Sequence, residues 1–225
     1  MLQHTESLPL LTRILSEAEH FRTTREVLDA LCAHGPQASE AAPLVRRLWE
    51  DGALADEHRI RVAHALWALT GDAERVLPVV RENLRSRKWS QWYAALSLTE
   101  ALGRSGAALA PTFREMLAEG HTPARAAVGL WQVTGETDET LPVLLTEWSA
   151  TPAQRPAIAA CLADMGPAAA PALPLIRTEL ASSRRHNNDD STGNMRYDVP
   201  TDVALQKDCR RVLAGFGERI DTPVR

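Results

Sequence analysis

The nucleophiles and metal-type ligands of this 225-residue chain stand too far apart, or in the wrong company, to make a catalytic centre. Its cysteines, Cys32, Cys161 and Cys209, form no CxxC pair, and each falls in a helix that wants small apolar residues, so they read as buried free thiols. His58 and His64 are six residues apart, not the four that places two imidazoles on one helical face, and no acid follows His58 as a metalloprotease helix requires. There is no Gly-x-Ser-x-Gly elbow and no glycine-rich phosphate loop ending in Lys-Ser/Thr. Asp72, Glu136 and Asp138 fall at helix starts, where capping accounts for a carboxylate. Asp164, two residues before Gly166, is expected to be exposed at a helix end. No residue is assigned to catalysis, to a metal or to a cofactor.

The remaining candidates are cations and aromatics suited to binding. Arg46, Arg81, Arg114 and Arg177 each lie three residues after a proline, with Leu145 in that place after Pro142. In stacked repeats such equivalent positions form a row, spaced roughly 10 Å per helix layer. The row suits a concave basic strip for an acidic or phosphate-bearing partner, thickened by Arg85, Arg87 and Lys88, and it suits equally a solvated face with local ion pairs. Trp89, Trp92 and Tyr93 fall together at an inter-repeat turn, as a stacking platform or as the plug of a widened junction. A polar insert, 182–202, interrupts the last repeat and reads as a flexible loop or as a binding loop. Within it, Met195–Val199, with Arg196 and Tyr197, has the anchoring side chains, and Thr201 or Asp202 would cap the helix that follows.

What positions these residues is a repeat. Gly35, Gly71, Gly103, Gly135 and Gly166 are separated by 36, 32, 32 and 31 residues, and each is followed seven or eight residues later by Pro43, Pro78, Pro111, Pro142 or Pro174. LWALTGDAERVLPVV, from Leu66, returns as LWQVTGETDETLPVLL, from Leu130, at an offset of 64, two periods. A period of about 30–45 residues with helical patterning marks stacked helix pairs. In one repeat, Ile60, Val62, Ala63, Leu66, Trp67 and Leu69 recur at helical spacing along a first helix. Thr70-Gly71-Asp72 stops it, and Val76, Leu77, Val79, Val80 and Leu84 line a second helix with Pro78 in its first turns. Pro9, Leu10, Leu11, Ile14 and Leu15 match a second helix without its partner, and Val203–Phe216 matches a first helix alone. Both end helices should therefore leave apolar surface uncovered, a route to a homo-oligomer.

The stretches A-x-A-L-W-x-x-T-G-[DE] at Ala63–Asp72 and Ala127–Glu136, with the L-P-x-[VL] starts of the second helices, resemble the HEAT-repeat superfamily. The likeness is strongest to the short bacterial repeats named after phycobilisome (bilin) lyase subunits and covers nearly all of residues 5–217. It implies an all-α fold: a right-handed α-α superhelix of about five HEAT-like helix pairs plus an orphan helix at each end. Residues 1–225 would form one domain. The superfamily includes scaffolds, adaptors, tetrapyrrole-handling lyases and DNA glycosylases for alkylated bases, and fold-level likeness transfers no chemistry.

Composition ranks these. With 25 Lys and Arg against 29 Asp and Glu, the net charge of −4 disfavours a nucleic-acid partner. No run of eighteen apolar residues stands out as a membrane span, and the start MLQHTESLPLL does not resemble a signal peptide, so a cytoplasmic location is expected. The expected activity is a non-catalytic protein-interaction scaffold whose concave face holds a segment of another, acidic protein. A glycosylase and a lyase-like small-molecule role are the alternatives.

Overall fold

The first helix of every repeat ends on a glycine that holds a backbone conformation few other residues tolerate. In the computed structural model, which describes residues 7–17, 21–50, 56–182 and 199–218, Gly71 has φ +67°, Gly103 +50° and Gly166 +59°. At Gly103 and Gly166 ψ is −130° and −131°, a region essentially closed to residues with a Cβ. Every regular element among the described residues is helical.

Contacts divide the chain into two compact units, 1–112 and 113–225. The first holds α1 (Ser7–Glu17), α2 (Phe21–His34), α3 (Ala42–Glu50), α4 (Asp56–Thr70), α5 (Ala73–Leu84) and α6 (Trp89–Leu102). The division falls within α7 (Ala110–Ala118). The second unit continues with α8 (Pro123–Thr134), α9 (Thr137–Ala150), α10 (Arg155–Met165), α11 (Leu173–Ala181) and α12 (Val199–Gly215).

In the first unit α2, α4 and α6 pack in a row, and α5 lies against both α4 and α6. In the second, α8, α10 and α12 form the corresponding row. Small residues allow the close approach: Ala63, Ala95 and Ala127, each eight before its glycine, are fully buried. Leu28, Leu31, Val45, Val62 and Leu66 belong to one core, and Leu144, Ile158, Leu162, Ile176, Leu205 and Leu213 to the other.

The glycine-to-proline interval folds in two alternating ways. From Gly35, Gly103 and Gly166 onward the chain runs through seven residues of 3-10 helix, the glycine included, before α3, α7 and α11, whose second residues are Pro43, Pro111 and Pro174. After Gly71 and Gly135 the next helix starts at once, so Pro78 and Pro142 become its sixth residue, within the first two turns. The tight turns are locked by threonine. Thr70 Oγ1 donates to Leu66 O (2.6 Å) and accepts from Asp72 N (3.2 Å), and Thr134 does the same with Leu130 O (2.8 Å) and Glu136 N (3.1 Å). Asp72 caps α5 by accepting from Arg75 N, whereas Glu136 makes no cap bond.

The ends differ in detail from expectation. α1 packs on α2 and α3 and buries Leu15, while Leu10 is 51% exposed. α12 docks on α10 and α11 through Leu205, Cys209, Val212 and Leu213, but Val203 is 59% exposed and outside that contact. This helix starts at Val199, earlier than expected, because Pro200 is tolerated in a first turn; Thr201 and Asp202 lie within it instead of capping it. Within the expected insert, 183–198 lie outside the described residues.

Pro152–Ala181 is apolar enough by length and composition to cross a membrane (mean hydropathy 1.3). Here it turns at Gly166 into α10 and α11, and its apolar residues Ile158, Leu162 and Ile176 fill the second core.

Gly129 in α8 marks the tightest packing. A Cβ built there falls 2.3 Å from Cε1 and 2.5 Å from Cζ of Phe113, whose side chain is fully buried. Alanine would favour the helix by about 1 kcal/mol, but the ring cannot retreat without displacing the core, an overpacking cost of about 1–3 kcal/mol. Gly129→Ala should therefore lower unfolding stability in urea, and Phe113→Leu in the same chain should recover part of the loss. Additive losses from the two changes would show that the ring is not the obstacle.

Candidate functional site

The three aromatics flagged in the sequence start α6. Trp89 and Trp92 stack, with ring centroids 5.1 Å apart and planes inclined by 20°. Tyr93 stands nearly perpendicular to both, at 4.7 Å from Trp89 and 5.2 Å from Trp92. Trp92 is buried, and its indole N–H has no acceptor among the described residues. Trp89 is 61% exposed, the most exposed large hydrophobic side chain among the described residues. One of these rings thus plugs the junction while another lies open above it. Trp67 and Trp131, by contrast, are partly buried; Trp67 Nε1 donates to Ala101 O at 3.3 Å and ties α4 to α6.

Beside this cluster, α2, α4 and α6 line an open pocket of about 540 Å³, with Asp29, Ser90, Tyr93 and Ser97 exposed at its wall. Asp29 and Cys32 come from α2, Ile60, Arg61 and His64 from α4, and Ser90, Tyr93, Ala94 and Ser97 from α6. These spacings of three, four and seven place each set on one helical face. Asp29 and Arg61 approach to 3.6 Å. Burial holds the His64 imidazole below its ordinary pKa, outweighing the pull of Asp29. Burial, with Asp29 adding to it, pushes the Cys32 thiol up to about 11. Both groups are therefore uncharged at neutral pH, and Cys32 is no thiolate nucleophile. A smaller cavity of about 200 Å³, lined by residues including Arg59, Glu82, Asn83 and Lys88, lies at the α5–α6 junction.

The arginine row is a set of bridges. Arg81 NH2 donates to Ala108 O at 3.2 Å. Arg114 donates through Nε to both oxygens of Glu139 (3.1 and 2.9 Å) and through NH2 to Glu136 (2.9 Å). Arg177 donates to both carboxylate oxygens of Glu218, which holds that carboxyl below its usual range. In each case the arginine of a second helix reaches into the next repeat. Arg46 is exposed and makes no ion pair among the described residues. Arg85 and Lys88 flank the α5–α6 turn, exposed like Arg87, while Arg196 and Tyr197 lie outside the described residues. Asp164 is exposed as expected and pairs with Arg211 of α12 at 2.8 Å.

Among the described residues no three His, Cys, Asp or Glu side chains are grouped to hold a metal. The sequence reading weighed Cys32 and His64 without giving them a shared site, and did not single out Asp29, Ser90 or Ser97. The available signal was polar residues at helical spacing on three successive first helices. No known family, curated protein or solved structure matches the chain.

Two outcomes follow. Arg114→Glu places a third acid beside Glu136 and Glu139 and should cost about 1 kcal/mol, since the pairs are exposed. Arg46→Glu should stay within about 0.5 kcal/mol of wild type. Paired melting curves at low and high salt check this: salt should narrow the difference, and equal melting temperatures would dismiss the bridge. The thiols give a pH dependence. Burial, reinforced by Asp164 for Cys161 and first by Glu179 for Cys209, raises both to about 12 from an ordinary 9.0. Below pH 9 folded and unfolded chains bind these protons equally. Between pH 9 and 12 the unfolded chain gives them up first, so their contribution to stability is lost as pH rises. Urea unfolding from pH 8 to 10.5 should show this fall, with a shallower slope for Cys161→Ala/Cys209→Ala.

Proposed function

We propose that this chain is a non-catalytic protein-interaction module, a HEAT-like right-handed solenoid that holds a segment of another protein. The recognition surface is the α2–α4–α6 face of the first unit, centred on Trp89. The carrying observation is that ring: 61% exposed, and supported from below by a stacked, buried Trp92. An aromatic fixed in place before binding loses little freedom on binding and offers a large contact area, as anchors of protein interfaces do. Arg87 and Lys88, both exposed and immediately before it, favour an acidic partner segment. The arginine row supports this reading less, because Arg114 and Arg177 already have carboxylate partners.

Trp89→Ala should remove binding of a captured partner, while the melting temperature falls only slightly, since a stacked aromatic pair contributes about 0.5–1.5 kcal/mol. Trp89→Phe should keep most of the binding. Affinity capture by the three proteins in parallel, quantified against their melting curves, checks it; a partner retained in full by Trp89→Ala would move the interface elsewhere.

A further inference from the structure

We propose that the cavity between α2, α4 and α6 is a small-molecule site for a neutral, polyhydroxylated ligand of sugar size. Its volume, about 540 Å³, lies within the range of about 300–1,000 Å³ that ligand pockets occupy. It belongs to one compact unit, and three helices build it, so its walls are set by packed elements and not by a loop.

Its chemistry selects the ligand by charge. Asp29 and Arg61 compensate each other across 3.6 Å, so neither an anion nor a cation meets an unopposed charge. His64 and Cys32 add none, because burial keeps the imidazole deprotonated and the thiol protonated at neutral pH. What the wall offers is a mixture of donors and acceptors. The Asp29 carboxylate can accept from ligand hydroxyls and the Arg61 guanidinium can donate to them, while Ser90 and Ser97 can do both. Ile60 and the Tyr93 ring supply the apolar surface that the C–H face of a pyranose would cover. A purely apolar ligand would strip water from these polar groups and return nothing. Trp89 is not among the lining residues, but Tyr93 is and packs edge-on against Trp89 at 4.7 Å, so the pocket adjoins the proposed protein interface.

Calorimetric titration of the full chain with glucose, galactose, mannose, maltose and trehalose tests the site, with glucose 6-phosphate, glucuronate and glucosamine as charged relatives. At least one neutral sugar should bind with millimolar or tighter Kd, and its charged derivatives at least tenfold more weakly. Deoxy analogues of that sugar should lose tenfold or more wherever a hydroxyl meets the wall. Ala94→Phe, which sets a ring into the middle of the wall, should abolish binding; Asp29→Asn and Ser97→Ala, which leave the pocket's volume nearly unchanged, should each weaken it about tenfold. No heat with any neutral sugar, equal or tighter binding of a charged derivative, or binding indifferent to all three cavity variants would overturn the proposal.

Discussion

A helix pair can repeat only if each first helix stops at the same point and turns the chain back. Here a residue without a Cβ does this, at φ between +50° and +76° in Gly35, Gly71, Gly103, Gly135, Gly166 and Gly217. Most of these glycines have nothing within contact of a notional Cβ, so the requirement is conformational and not steric crowding. The turn then fixes which face of each second helix meets the core. A side chain at Gly103 or Gly166, where ψ lies near −130°, would strain the turn itself and shift the packing of every residue after it.

Once the turns are fixed, one position in the second helix can be used again and again. Arg81, Arg114 and Arg177 occupy equivalent places, and each reaches a carbonyl or carboxylate of the following repeat. These contacts are exposed, so each contributes little alone; their value lies in joining neighbours at a constant distance. The same geometry decides the electrostatics. A cation matched to Glu139 or Glu218 contributes little field to a distant anion, which moves the binding potential away from the arginine row.

Helix ends were legible in the sequence because glycine, threonine and proline act through the local backbone. Thr70-Gly71-Asp72 and Thr134-Gly135-Glu136 announced the tight turns directly. The alternation between tight and 3-10 turns follows the glycine–proline distance, eight residues after Gly35, Gly103 and Gly166 and seven after Gly71 and Gly135, a one-residue signal that the reading of seven or eight as one class passes over. Threonine before the glycine marks the two tight turns as well. α12 starts four residues before the expected Val203, because Thr201 and Asp202 read as caps from their residue types and instead lie within its first turn. The cavity could not be read at all from one helix. Asp29, His64 and Ser97 are unremarkable separately, and only the packing of α2, α4 and α6 brings them to one wall.

Where a repeat departs from its own packing rule, the departure needs a reason outside folding. Elsewhere the first helices meet through alanine and leucine, and Gly129 is reduced to nothing so that Phe113 can fill the space. On the α2–α4–α6 face the same kind of junction holds a dehydrated imidazole, a raised thiol and a buried indole N–H without an acceptor among the described residues. Each is a cost that an apolar residue of similar size would avoid. Two tryptophans are stacked there where one would close the gap, leaving Trp89 in solvent at a further cost in exposed apolar area. Stability alone would remove all of these features. The second unit carries comparable burial costs in the raised thiols of Cys161 and Cys209 and in Arg210 Nε, which has no acceptor among the described residues, so what sets the first unit apart is the exposed Trp89 ring stacked on its buried neighbour.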